Sequence, residues 1–241
     1  MTEEDARAFA EKLMGATDRC VADYASEEVR HEEAFSDQLC GRLKETLEGF
    51  STPHIRWQAD VTQSDRGRAR LTASTLTKTK EEPLFGADIA MVLDVESEDY
   101  AVRKGFLAQA KRLEPGAKMK SDEHRRLLTQ CEKMLSVTPS SMVLLYHNGG
   151  VTPVPAVATL AYGERDLFNI FSWGMENLYF DFAVCWFGDP RLQATDRASL
   201  EDLRTLLDAE AAIRFEGRPK DLPEVSLPRG ADPFAFRVAN C

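Results

Sequence analysis

An acid, an amide and an amine stand within a short stretch near the middle of this chain. Asp88 belongs to the run Gly86-Ala87-Asp88-Ile89, and Gln109 and Lys111 belong to Gly105-Phe106-Leu107-Ala108-Gln109-Ala110-Lys111-Arg112. Both runs read as strands. Ile89, Met91, Leu93 and Val95 alternate onto one face, and a charged turn from Glu96 to Tyr100 leads into the second run. Side chains two apart on a strand share a face, so Gln109 and Lys111 point the same way. A hairpin then lays Asp88 beside them. A carboxylate, an amide oxygen and an amine at a sheet edge suit a hard cation and a water, the requirements of metal-assisted hydrolysis. Asp88 would bind Mg2+ (or Mn2+), Gln109 would offer its amide oxygen, and the main-chain carbonyl of Ala110 would add a ligand. Lys111, among carboxylates, is expected to stay protonated, orienting the attacking water and stabilising developing negative charge. The competing reading is surface polarity on a strand beside a turn. The flanking Phe106, Leu107, Ala108 and Ala110 weigh against it, because they indicate a buried strand in which an unpaired lysine is costly.

Asp88 followed by Gln109-x-Lys111, within the phrase Lys104 to Arg112, resembles the active-site pattern of the PD-(D/E)XK nuclease superfamily. The closest likeness is to the variant with Gln in place of the second acid, as in Mrr-like restriction endonucleases and nuclease effectors of anti-phage defence. The resemblance spans residues 25–160. It implies an α/β fold, a restriction-endonuclease-like three-layer sandwich with a mixed central sheet, and hydrolysis of DNA, double-stranded DNA foremost. It also implies an acid from the helix that precedes the sheet. That helix reads as Ser26 to Gly49, with Ser26 as N-cap and Phe35, Leu39, Leu43 and Leu47 as its apolar stripe. Glu32 falls near the middle of the stripe and Glu33 at its flank, so Glu32 is the first choice and Glu33 the close alternative. Either stands against the simpler reading of a solvated helix glutamate. Glu82, just upstream of the Gly-Ala-Asp segment, is a weaker candidate of the same kind, set against a solvated loop acid. His147, at the end of a strand before Gly149-Gly150, is a weaker candidate for approaching phosphate. His31, His54 and His124 have no ligand spacing.

The remaining elements must hold this pair of strands. Residues 2–14 read as a short helix ended by Gly15, Ile55 to Thr62 as a strand and Arg68 to Lys80 as another. Ser121 to Val137 reads as a helix capped by Ser121 or Asp122, with Leu127, Leu128, Cys131, Met134 and Leu135 toward the sheet. Met142 to Tyr146 is an apolar strand, and Asn148-Gly149-Gly150 a hairpin signal. Val151 to Ala161 is a last strand, placed at an edge by Pro153 and Pro155. These elements make up a nuclease core over residues 1–162. Residues 163–241 read as a C-terminal helical extension: Asp166 to Phe171, Glu176 to Phe187 and Ser199 to Ile213 as helices, then an extended tail from Glu216. Its many aromatic residues either pack on the core or form an oligomer or partner surface.

The 241 residues carry a net charge of −10, against the basic footprint usual in a DNA binder. Basic residues are nevertheless grouped. Arg68, Arg70 and Lys78 lie in one stretch, and Lys104 and Arg112 in another that continues through Lys118, Lys120, Arg125 and Arg126. The first five are the candidate DNA contacts, with phosphate supplying sequence-independent affinity; the alternative is solvated strand edges. No apolar run is long enough for a membrane helix, the N-terminus lacks the pattern of a signal peptide, and the expected location is cytoplasmic, with no membrane partner. Five scattered cysteines without a C-x-x-C pair argue against a disulfide framework and a structural zinc. No phosphate-cradling Gly loop and no Gly-x-Ser-x-Gly elbow is present. The expectation is a metal-dependent DNA endonuclease acting in anti-phage defence or restriction, held in check by a regulatory protein partner or by homo-oligomer assembly. The alternative is a non-catalytic subunit that keeps the nuclease fold to bind a partner protein or nucleic acid. Nothing in the sequence separates DNA from RNA as substrate.

Overall fold

Alternation along the strands divides the buried apolar side chains into two sets, with a sheet between them. The computed structural model describes residues 1–25, 32–63, 86–97 and 100–220, with the backbone alone at Glu32, Glu33, Ser97 and Tyr100. The chain begins with helices α1 (Glu3–Ala25) and α2 (Glu32–Leu47), followed by strands β1 (Ile55–Gln63), β2 (Ile89–Ser97) and β3 (Tyr100–Arg112). Helix α3 (Ser121–Val137), strands β4 (Ser141–His147) and β5 (Gly150–Pro155) and helix α4 (Ala156–Tyr162) come next. A 3-10 turn (Leu167–Asn169), helices α5 (Met175–Ala183) and α6 (Arg197–Leu207) and strand β6 (Ala211–Pro219) complete the described chain. Among the described residues the strands form one six-stranded sheet in the order β1-β6-β2-β3-β4-β5. The β2/β6 and β3/β4 pairs are parallel and the others antiparallel. One face carries Met91, Leu93, Phe106, Ala108 and Phe215 against α1, α2 and α5. The other carries Val92, Leu107, Val143 and Leu145 against α3, α4 and α6. This is an α/β architecture with helices on both faces of a mixed sheet.

Where the structure departs from the expected elements, tertiary packing accounts for most of the difference. Helix α1 does not stop at Gly15 but runs on to Ala25, because Ala16, Cys20 and Tyr24 continue its buried stripe. That burial outweighs the roughly 1 kcal/mol a mid-helix glycine costs. Strand β3 begins five residues before Gly105, where Arg103 pairs across the hairpin with Asp94. Neither Ser121 nor Asp122 caps α3: the N-cap position is Lys120, with no side-chain capping bond. Strand β5 does lie at the sheet edge, but it ends at Pro155, and residues 156–162 are helix α4 rather than strand. Residues 166–171 hold one 3-10 turn in place of a helix. The largest correction concerns the C-terminal part. Asp208 turns left-handed (φ 49°) and ends α6 at Leu207, and the chain then enters the sheet as β6 between β1 and β2. Residues 163–241 are therefore not a purely helical extension; they supply an inner strand. The strand expected over Arg68 to Lys80 and the N-cap Ser26 lie outside the described residues.

Two polar features fix the sheet. Asp94, fully buried on β2, accepts from Arg103 Nε (2.9 Å), Arg214 Nη1 (2.8 Å) and Arg218 Nη2 (2.9 Å). Arg214 also holds Asp60 (2.9 Å) and Glu216, so one network ties β1, β6, β2 and β3 together. At Gly105, the Asp189 loop crosses β3 with paired backbone bonds of 2.9 and 2.7 Å. A Cβ at residue 105 would sit 2.7 Å from the Leu192 carbonyl oxygen and 2.8 Å from that of Met91, so only glycine admits the loop. The Asp189 carboxylate accepts from Thr138 Oγ1 (2.6 Å) and from the Arg191 guanidinium and backbone N–H. Burial alone would raise its pKa; these donors together hold it below the usual 3.8. A depressed carboxyl stabilises the fold in its ionised form, so the contribution is complete above the unfolded value and is lost as pH falls through the folded one. Asp189→Asn is expected to cost about 1–3 kcal/mol at pH 7. Thermal denaturation of both proteins from pH 7 to 3 should show the gap closing below about pH 4; a gap independent of pH would refute the assignment.

Candidate active site

The site arises because β2 stops where β3 continues. The last rung between them is Ile89↔Ala108, and β3 runs on to Arg112. Gly86, with φ 72°, turns the incoming chain, and its missing Cβ lets the α3 backbone approach: a Cβ there would meet the Gln130 carbonyl oxygen at 2.7 Å. Asp88 is then clamped by its main chain. Its N–H donates to the Ala108 carbonyl (3.0 Å) and its carbonyl accepts from Ala211 N–H of β6 (3.0 Å). Beyond the end of β2 the Ala110 N–H has no strand to donate to, and the Asp88 carboxylate takes its place, accepting it at Oδ2 (2.9 Å). The same Oδ2 accepts from Gln109 Nε2, which also lies 3.3 Å from the Ala110 carbonyl oxygen.

Asp88, Gln109 and Lys111 thus share one face and one end of the sheet, and all three are buried. Their face is that of Val92 and Leu107, beneath α3. Lys111 is 8% exposed and stands level with Leu145 of the parallel neighbour β4. Burial pushes the Cys131 thiol on α3 up to about 12, and the Lys111 ammonium nearby works in the opposite direction. His147 lies two residues past Leu145 on β4, on the same face and toward the same end. Its Nδ1 accepts from Gly149 N–H (3.1 Å), which leaves the neutral ring donating from Nε2 to Thr152 Oγ1 (3.3 Å). Burial, opposed by Glu114, holds its pKa below the ordinary value.

Helix α2, expected to carry a further acid, starts at the Asp88 end of the sheet but packs on its other face. Gln63 at the end of β1 donates to the Asp37 carbonyl (3.4 Å) and pairs with Ala211, which pairs with Ile89. Phe35 stacks on Tyr146 of β4 with ring centroids 4.2 Å apart. Glu32 and Glu33 open the helix one turn before Phe35; their side chains, like Glu82, Arg68, Arg70 and Lys78, lie outside what the structure describes. Lys104, expected on a DNA-facing surface, is corrected: it is 3% exposed, with its Nζ 5.3 Å from the centre of the Phe182 ring on the opposite face. A lysine so enclosed has no surface to offer a phosphate. Arg112 is exposed, its guanidinium 5.0 Å over Tyr24, and Lys118, Lys120, Arg125 and Arg126 beyond it are exposed too.

Among the described residues no cluster of three or more His, Cys, Asp and Glu side chains is placed to hold a cation. The donors at Asp88 are instead one carboxylate, one main-chain carbonyl and one amide oxygen. Gln109 is 1% exposed, and its Oε1 is buried without a hydrogen-bond partner among the described residues. It is the amide nitrogen, not this oxygen, that faces the carboxylate and the carbonyl; in kind the three oxygens suit Mg2+, which prefers hard oxygens and keeps several waters. Sequence reasoning passed over Gln130, whose backbone packs on Gly86 and whose Oε1 is likewise buried and without a partner among the described residues. Its signal was a polar residue between Leu127, Cys131 and Met134 of the buried stripe. No helix of the described residues is long and apolar enough to cross a membrane. No protein-family model, curated protein or solved structure was found to match this chain.

Proposed function

We propose that this chain is a metal-dependent DNA endonuclease, hydrolysing phosphodiester bonds in double-stranded DNA with Mg2+ or Mn2+, and that it serves as a cytoplasmic effector in bacterial anti-phage defence or restriction. The reading rests above all on one observation: the Asp88 carboxylate, the Gln109 amide and Lys111, separated in sequence, meet on one face at one end of the sheet, with Asp88 and Gln109 in direct contact. Asp88, the Ala110 carbonyl and Gln109 Oε1 would hold the cation, with Glu32 or Glu33 from α2 as a further acid. The cation would supply charge neutralisation on the phosphate and a more acidic water. Lys111 would orient that water and stabilise negative charge on the phosphoryl oxygens. The exposed Arg112, Lys118, Lys120, Arg125 and Arg126, which follow β3 in the chain, would supply phosphate contacts despite the acidic total.

Phe171 and Trp186 are 66% and 85% exposed, which favours a second copy or a regulatory partner on the C-terminal part. The test is Mn2+ or Mg2+ titration of wild type and Asp88→Ala, alongside plasmid cleavage in metal and in EDTA. Metal binding lost in the variant, with metal-dependent cutting by the wild type, is the expected result. Metal binding indifferent to Asp88 would favour a non-catalytic nuclease-fold subunit.

A further inference from the structure

We propose that Gln109 is a carboxamide latch on this site, and that a divalent cation enters only as the amide turns over and exchanges its NH2 group for Oε1. The inference rests on the metal-site reading above. It starts from what the Gln109 nitrogen touches. Nε2 donates to Asp88 Oδ2 and lies 3.3 Å from the Ala110 carbonyl oxygen. Those are two of the three oxygens assigned to the cation, and the third, Gln109 Oε1, faces away, buried and without a partner among the described residues. Both neighbours of the nitrogen are acceptors, so hydrogen bonding fixes which end of the amide faces them. The amide NH2, with its partial positive charge, therefore occupies the space between the oxygens a cation would bridge.

Turning the terminal torsion by half a revolution exchanges two groups of nearly equal size, and this torsion is broad and two-fold in character. After the turn Oε1 stands beside Asp88 Oδ2 and the Ala110 carbonyl, a set that repels itself unless a cation lies between. Cation and amide orientation are therefore coupled: each orientation is favoured in one state only. The coupling explains why glutamine suits this position. A glutamate would place a second carboxylate at hydrogen-bonding distance from Asp88 in a buried site, a repulsion that the single Lys111 ammonium shared by both only partly offsets and that a metal relieves. Glutamine lets the site fold and remain satisfied around Asp88 with no metal, at the expense of metal affinity. The consequence is a chain that is stably folded and silent until the cation displaces the latch.

The test uses full-length protein and has two arms. In the first, 15N-labelled wild type is titrated with Mg2+ while the Gln109 side-chain NH2 signals, identified by their loss in Gln109→Glu, are followed. Slow hydrogen exchange without metal, then a shift and loss of protection at saturation, is expected. Mg2+ binding that depends on Asp88 but leaves those signals and their exchange unchanged would overturn the latch while sparing the metal site. No Mg2+ binding by the wild type at millimolar concentrations would overturn both. In the second arm Gln109→Glu should bind Mg2+ more tightly by about tenfold or more, since it adds a charged ligand and removes the latch. In EDTA at pH 7 its melting temperature should fall relative to wild type, because two carboxylates then face each other in a buried site, and Mg2+ should restore it. Affinity no tighter than wild type would overturn the proposal. If Gln109→Glu does not fold even with Mg2+, the first arm decides alone, with the signals identified in Gln109→Leu.

Discussion

Replacing Lys111 by methionine is expected to lower Mg2+-dependent cleavage of plasmid DNA by about 10²–10⁴-fold, the range found when one positioned catalytic group is removed. Methionine keeps the unbranched apolar stem, so the change removes the charge without opening a large cavity. Three observations give the charge its weight. Lys111 is 8% exposed, beneath α3 and near Cys131, so solvent screens it little. It shares its face with Gln109, two residues before it, and therefore points toward the end of the sheet where Asp88 stands. Its backbone is paired with β4, level with Leu145, and β2 holds the same strand up to Ala108, three residues earlier. A group so held acts without reorganisation at the moment charge develops. The measurement is the single-turnover rate at saturating Mg2+ for wild type and variant, with the Mg2+ dissociation constant and melting temperature of each. A rate within threefold of wild type would refute the assigned role. A lost rate accompanied by lost metal binding would move Lys111 from the reacting phosphate to the upkeep of the metal site.

Asp94→Ala should have the largest effect on stability of any change argued from this structure, about 3–5 kcal/mol, the usual consequence of removing one partner from a buried charge network. Asp94 is fully buried and answers three guanidinium groups. Of these, Arg214 is itself 4% exposed, and its Nε already lacks a hydrogen-bond partner among the described residues. Asp60 and Glu216 still face Arg214 in the variant, which keeps the loss at this magnitude rather than beyond it. For a chain of this size the melting temperature should drop by about 6–20 °C. Asp94→Asn retains the shape and one acceptor and should cost less. The exposed pair Arg125–Asp122, 2.8 Å apart, is the control: Asp122→Ala should change stability by under about 1 kcal/mol, because solvent already screens that pair. Asp94 stands six residues from Asp88 along β2, about 20 Å, so Mg2+ affinity at 25 °C should be unchanged. A small stability loss for Asp94→Ala would show that the three arginines find other acceptors.

The sequence alone determined which residues meet at Asp88. Period-two alternation assigns Ile89, Met91, Leu93 and Val95 to one face and puts Gln109 and Lys111 together on another, and a hairpin is enough to bring Asp88 beside Gln109, because these contacts are local and strands have a rigid side-chain period. Helix α3, strand β4, the short connection at Asn148-Gly149 and the edge position of β5 were legible for the same reason. The tertiary structure decided what depends on distant partners. Residues 211–219 continue an apolar pattern that suits a helix as well as a strand. They become β6 because the gap between β1 and β2 offers unpaired backbone on both sides and a buried acid, Asp94, for Arg214. The length of α1 followed from burial against α2 and α5, against the local preference of Gly15. Lys104 looked like a surface cation by type and by its basic neighbours, yet strand alternation turns it under Phe182. The orientation of the Gln109 amide was likewise invisible in sequence. It is set by which atoms the fold brings to each end of the carboxamide: two acceptors at the nitrogen and, among the described residues, no donor at the oxygen.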